Sequence, residues 1–123
     1  MPPQNLSISE VVKLAAMMHG RFWQNTGNES DGDRLASLVT KHWQQAVLDN
    51  APKQFIQEYP VANHLNERID LVDKENGIAY ELKVSPNNTH FEFYKDIFKV
   101  VLARDNLLPH LNRFVFKIGR AHV

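Results

Sequence analysis

The chain has 123 residues, 43% hydrophobic and 23% charged, which describes one ordinary globular domain with room for a single core. Lys plus Arg equals Asp plus Glu at 14 each, which argues against an indiscriminate nucleic-acid binder yet allows charges sorted onto separate faces. Cysteine is absent, the histidines show no zinc-like spacing, and neither a membrane-spanning run nor a signal-peptide layout is present, so the expectation is a cytoplasmic protein without disulfides or membrane contact.

In chain order, residues 1–6 read as a tail. Ser7-Ile8-Ser9-Glu10 is a capping box, with a serine able to accept first-turn amides and a glutamate three residues on. Ile8, Val11, Val12, Ala15 and Met18 follow at helical spacing, so a helix is predicted over about 8–19, with Gly20 as its stop. Residues 20–33 read as a loop carrying Gly27 and Gly32, beneath which Phe22 and Trp23 are expected to pack. Leu35, Leu38, Val39, His42, Trp43, Ala46 and Val47 form the clearest helical stripe. Ser30 or Asp31 can cap that helix, and Pro52 ends it by disfavouring the α conformation before it. Phe55 to Val61 reads as a strand, with Phe55, Tyr59 and Val61 on one side and Glu58 on the other. Pro60 cannot donate to a ladder and belongs at an edge or strand end.

Residues 67–84 are two β-prone runs around Asn76-Gly77, a strong hairpin signal because both residues tolerate positive φ. A two-residue turn sets Val72 opposite Glu81 and Asp70 opposite Lys83. Alternation then puts Ile69, Leu71, Tyr80, Leu82 and Val84 on an apolar face, and Asp70, Glu81 and Lys83 on the other. Two readings fit that second face. One is a solvated surface with a cross-strand Asp–Lys pair contributing roughly 0.2–1 kcal/mol. The other is a site for phosphodiester hydrolysis, the carboxylates holding a hard divalent cation and the lysine acting on water or phosphate.

After the hairpin, Thr89-His90-Phe91-Glu92 is a second capping box, opening a helix to about Arg104. Its apolar residues cover most of its girth, leaving Glu92, Lys95, Asp96 and Lys99 as the expected exposed strip. Residues 113–118 alternate as a last strand, and a crossover helix between strands implies a parallel pairing. The predicted order is α-α-β-β-β-α-β: one α/β domain over 1–123, with a mixed sheet, flanking helices and a core at 34–118.

Ile69-Asp70, ten intervening residues and Glu81-Leu82-Lys83 resemble the signature of the PD-(D/E)XK nuclease superfamily, with Ile-Asp in place of Pro-Asp. The resemblance covers about residues 30–118 and implies a restriction-endonuclease-like core. It implies a metal-dependent DNA endonuclease in which Asp70 and Glu81 bind Mg²⁺, replaceable by Mn²⁺, and Lys83 activates water. Glu58 resembles a supplementary acid ahead of the Asp strand. Glu29 stands about where the family's first helix often carries a glutamate, a place where a first-turn acid is also favoured by the helix dipole. His90-x-x-x-Tyr94 is similar to the family's Gln-x-x-x-Tyr pattern, with His for Gln. The family usually continues with further elements, so the expectation is a minimal domain, a part of a longer protein, or a fold completed by a partner chain. A homodimer is expected because so small a domain has limited surface for a duplex and helix 89–104 has more apolar girth than one sheet can cover. A catalytically inactive nuclease-like module that binds DNA or protein is the alternative, and a small structural subunit a third reading.

Overall fold

The computed structural model describes residues 5–23, 32–62, 66–84, 89–106 and 108–118. The elements run α1 (Ile8–Phe22), α2 (Gly32–Asn50), β1 (Phe55–Pro60), β2 (Arg68–Asp73), β3 (Ile78–Lys83), α3 (Thr89–Asn106) and β4 (Arg113–Ile118). This is the predicted order, and the four strands form one mixed sheet, β1-β2-β3-β4, antiparallel except for the parallel β3–β4 pair. The class is therefore α/β, with β1 and β4 at the edges. No described helix is long and apolar enough to cross a membrane.

The capping box forms as expected. Glu10 N–H donates to Ser7 Oγ at 3.2 Å and Ser7 N–H to Glu10 Oε1 at 2.9 Å, an arrangement that contributes about 1 kcal/mol. The helix does not stop at Gly20 but runs to Phe22 and is capped at Trp23. A glycine ends a helix only where the chain adopts positive φ, and Gly20 does not. Ser30 and Asp31, proposed to cap α2, lie outside the described residues.

Val11, Ala15 and Met18 of α1 and Val39, Trp43 and Val47 of α2 bury against Phe55, Leu71, Tyr80, Leu82 and Val84 on one sheet face. Trp43 Nε1–H donates to the Val11 carbonyl at 3.1 Å, fixing the two helices to each other. Phe22 and Trp23 pack at the margin of this cluster, the expected role. The other sheet face buries Val61, Ile69, Val72 and Ala79 against Ala103 of α3 and Leu111. Every residue of β3 except Lys83 is buried, as a central strand covered on both faces requires.

Three register expectations fail, each for a physical reason. The β2–β3 pairing sets Leu71 opposite Tyr80, Val72 opposite Ala79 and Asp73 opposite Ile78. The turn thus spans residues 74–77 rather than Asn76-Gly77 alone. Asp73 causes this: its carboxylate accepts Glu75 N–H at 3.1 Å, Asn76 N–H at 3.0 Å and Asn76 Nδ2 at 2.8 Å, an Asx-type staple that holds a wider turn. Gly77 still has positive φ, 66°, and its backbone passes so close to the His110 carbonyl that a Cβ would overlap it. The two-residue shift keeps the faces but moves Asp70 from Lys83 to the level of Glu81.

The other two failures share one origin. Ile69 and Tyr59, expected beside Leu71 and Phe55, instead belong to the α3-side cluster. Pairing of β1 with β2 runs through 55–57 with 71–73 and resumes at 59–60 with 68–69, omitting Glu58 and Asp70. Glu58 has φ 51°, the only positive value at a described non-glycine residue. One left-handed residue in a strand breaks the two-residue alternation, so side chains beyond it change faces.

Helix α3 is turned differently from its apolar pattern. Asp96 and Lys99, assigned to the exposed strip, are buried, while Tyr94 and Phe98 are 69% and 65% exposed. The reason lies in β3, whose buried Glu81 is met by Lys99.

Candidate functional site

The break opposite Glu58 places three acids together. Beyond Leu71–Tyr80 the β2–β3 ladder gives way to side-chain bonds: Asp70 N–H donates to Glu81 Oε1 at 3.2 Å, and Leu82 N–H to Asp70 Oδ2 at 2.9 Å. Each carboxylate thus caps the backbone of the opposite strand. On the α2 side, buried Gln44 donates from Nε2 to Glu58 Oε2 at 2.6 Å and to the Asp70 carbonyl at 2.8 Å. It bridges β1 and β2 where their own pairing lapses.

A cleft of about 760 Å³ opens over this point. Ser37, Thr40, Lys41 and Gln44 of α2 form one wall; Glu58, Asp70 and Lys83 lie across from them. Lys83 lines the cleft, and its ammonium has no hydrogen bond or ion pair with a described residue. Glu81 is 5% exposed and lies behind Asp70, where its Oε1 meets Lys99 Nζ at 2.9 Å.

Electrostatics follow from burial. Asp70 is pushed above the usual carboxylate range by burial first; the Leu82 N–H and Lys99 pull it down, and Glu58 pushes it up. Glu81 is pushed up by burial first and then by Asp70, against the pull of Lys99, with Asp96 adding to the rise. The two carboxyls are close enough to act on each other's charge, and as a pair they keep a proton to higher pH than isolated acids do.

The structure thus brings together Asp70, Glu81, Lys83 and Glu58, although the pairing is Asp70 with Glu81 and not Asp70 with Lys83. They do not share one open face: Glu58, Asp70 and Lys83 line the cleft, while α3 covers Glu81. Tyr94 is not brought to the cleft; it stands exposed, edge-on to Phe93. His90 lies in the first turn of α3 with its side chain outside the described residues, and Glu29 also lies outside them. Gln44 and Lys99 were missed. Their signal was Gln44 beside the Trp43 stripe, and an acid on a strand that both faces bury, which demands a countercharge.

Among the described residues, no group of three or more His, Asp or Glu side chains converges as a metal site. Mg²⁺ asks for less: one or two carboxylates, with water and substrate oxygens completing its shell. The Asp70–Glu81 pair fits that demand in number, since two neighbouring buried carboxyls are stabilised by a proton or a cation beside them. The chain matches no family model, no curated protein and no solved structure.

Proposed function

We propose that the chain is a metal-dependent DNA endonuclease of the PD-(D/E)XK type, with a restriction-endonuclease-like core. The observation that carries this reading is the contact between Asp70, which lines the cleft with the strained Glu58 and with Lys83, and Glu81 behind it. Backbone strain persists where surrounding structure enforces it, and such sites concentrate at ligands and reacting groups. Asp70 and Glu81 hold Mg²⁺ or Mn²⁺, with Glu58 adding negative charge from the neighbouring strand. The cation supplies Lewis-acid stabilisation of the phosphoryl transition state and acidifies water. Lys83 orients the attacking water and offsets phosphate charge, and the polar wall of α2 receives the sugar–phosphate backbone. The active form is a homodimer joined through the exposed face of α3, so that each protomer cuts one strand.

The second reading, an inactive nuclease-like module, draws support from Lys99, which already neutralises Glu81. Plasmid nicking separates the two. Active wild-type protein nicks supercoiled DNA with Mg²⁺ or Mn²⁺ and not with EDTA, and Asp70→Asn abolishes nicking. DNA binding without metal-dependent nicking identifies the inactive module.

A further inference from the structure

Lys99 sits among acceptors. Its Nζ is 2.9 Å from Glu81 Oε1 and 3.1 Å from Asp96 Oδ1, and it donates to the Arg68 carbonyl at 2.7 Å, so all three of its N–H donors have a target. The residue is 8% exposed. An ammonium this buried is tolerated only when paired and hydrogen-bonded. The three acids around it, Asp70, Glu81 and Asp96, carry more negative charge than one ammonium cancels. Arg68 and Asp70 belong to β2, Glu81 to β3 and Asp96 to α3, so Lys99 links the helix to both strands of the site.

We propose that Lys99 is a resident countercharge: its ammonium stands in for a divalent cation at Glu81 in the metal-free protein and yields that carboxylate when the cation arrives, staying paired with Asp96. The proposal rests on the reading of Asp70 and Glu81 as a cation site. A single Glu81 oxygen cannot serve both charges at full strength, because two cations a few ångströms apart in a partly dehydrated site repel strongly. Lys99 therefore holds the metal-free fold together while weakening the cation's grip. Asp96, one turn before Lys99, gives the ammonium a second anchor that no cation at the cleft floor reaches. The exchange moves no covalent bond.

The test uses the full chain and Mg²⁺ or Ca²⁺ alone as probe, with unfolding followed in EDTA and in millimolar cation. Lys99→Met should lower the melting temperature in EDTA, gain more from cation than wild type does, and bind Mg²⁺ more tightly by on the order of tenfold. Lys99→Arg, which keeps the charge, and Lys95→Met, on the exposed side of the same helix, should stay near wild type in cation affinity. The double variant Lys99→Met/Glu81→Gln should recover part of the lost melting temperature in EDTA, since charge and countercharge then leave together; this arm needs no cation and covers a poorly folding single variant. The proposal is overturned if wild type responds to cation and Lys99→Met responds no more, or if the double variant is no more stable than the single. If neither wild type nor Lys99→Met responds to cation while the double variant still recovers, the cation site itself is wrong and the exchange fails with it.

Discussion

Glu58 and Asp70 stand at the same level of neighbouring strands, and the pairing of β1 with β2 omits them both. Glu58 takes a left-handed backbone there, and Gln44 closes the gap by bonding the Glu58 carboxylate and the Asp70 carbonyl. The interruption turns a polar stretch of sheet into a cleft floor with acids from two strands.

If the Glu58 backbone is strained, glycine should suit the position better than alanine. A non-glycine residue in the left-handed region costs about 1–2 kcal/mol, so Glu58→Gly should exceed Glu58→Ala in stability by about 1 kcal/mol. That reverses the usual order within a strand. Urea unfolding of both variants checks it, and an alanine variant at least as stable as the glycine one contradicts it. Both variants should bind Mg²⁺ more weakly than wild type.

Gly77→Ala should be among the costliest substitutions in the turn. The positive φ alone costs about 1–2 kcal/mol, and the overlap with the His110 carbonyl adds to it. Gly77 also accepts the Asn112 and Arg113 amides at 2.9 and 3.1 Å, so a shift there propagates to the start of β4. Chemical unfolding showing a loss below about 0.5 kcal/mol, the range of ordinary surface changes, would count against this account.

The raised carboxyls set a sign for pH dependence. The unfolded chain releases these protons near the ordinary carboxylate range, while the folded pair keeps one above it. Between those limits the folded state binds more protons, so stability falls as pH rises and levels off once the pair has ionised. Melting temperature in EDTA, compared between wild type and Glu81→Gln, should show a downward slope over this window that is shallower in the variant, where buried Asp70 still contributes. Cation should flatten the slope by replacing the proton. A variant slope equal to that of wild type refutes the assignment.

Helix α3 offers Tyr94, Phe98 and Val101 to solvent at i, i+4 and i+7, the spacing of one face. Two copies packed antiparallel would cover these faces with opposed helix dipoles. Sedimentation at tens of micromolar protein should show a dimer and Phe98→Lys a monomer, with little change in protomer stability. A monomeric wild type without DNA argues against the dimer.

Much of the fold was legible because it depends on period. The stripe from Leu35 to Val47 and the alternation on either side of Asn76-Gly77 fixed element type and order. What stayed hidden turned on single side chains acting on backbone. Asp73 widened the turn and moved the register by two, and Glu58 flipped the faces beyond it. Orientation of α3 was misread because counting apolar residues ignores what a buried acid needs; Glu81 drew Lys99 and Asp96 inward and left aromatic residues outside. Asp70, Glu81, Lys83 and Glu58 were readable from spacing and likeness, whereas Gln44 and Lys99 become visible only once the strands are placed.

The central claim is that this cleft hydrolyses DNA with Lys83 acting on water and phosphate. Lys83 cannot ligate a cation, so its removal separates chemistry from metal binding. Single-turnover cleavage by wild type and Lys83→Ala, with Mg²⁺ affinity and melting temperature measured on the same samples, tests this most directly. The account predicts a rate loss of about 10²–10³, the usual effect of deleting one stabilising donor, with cation affinity and fold retained. A Lys83→Ala protein that cleaves as fast as wild type, with the same metal dependence, contradicts it.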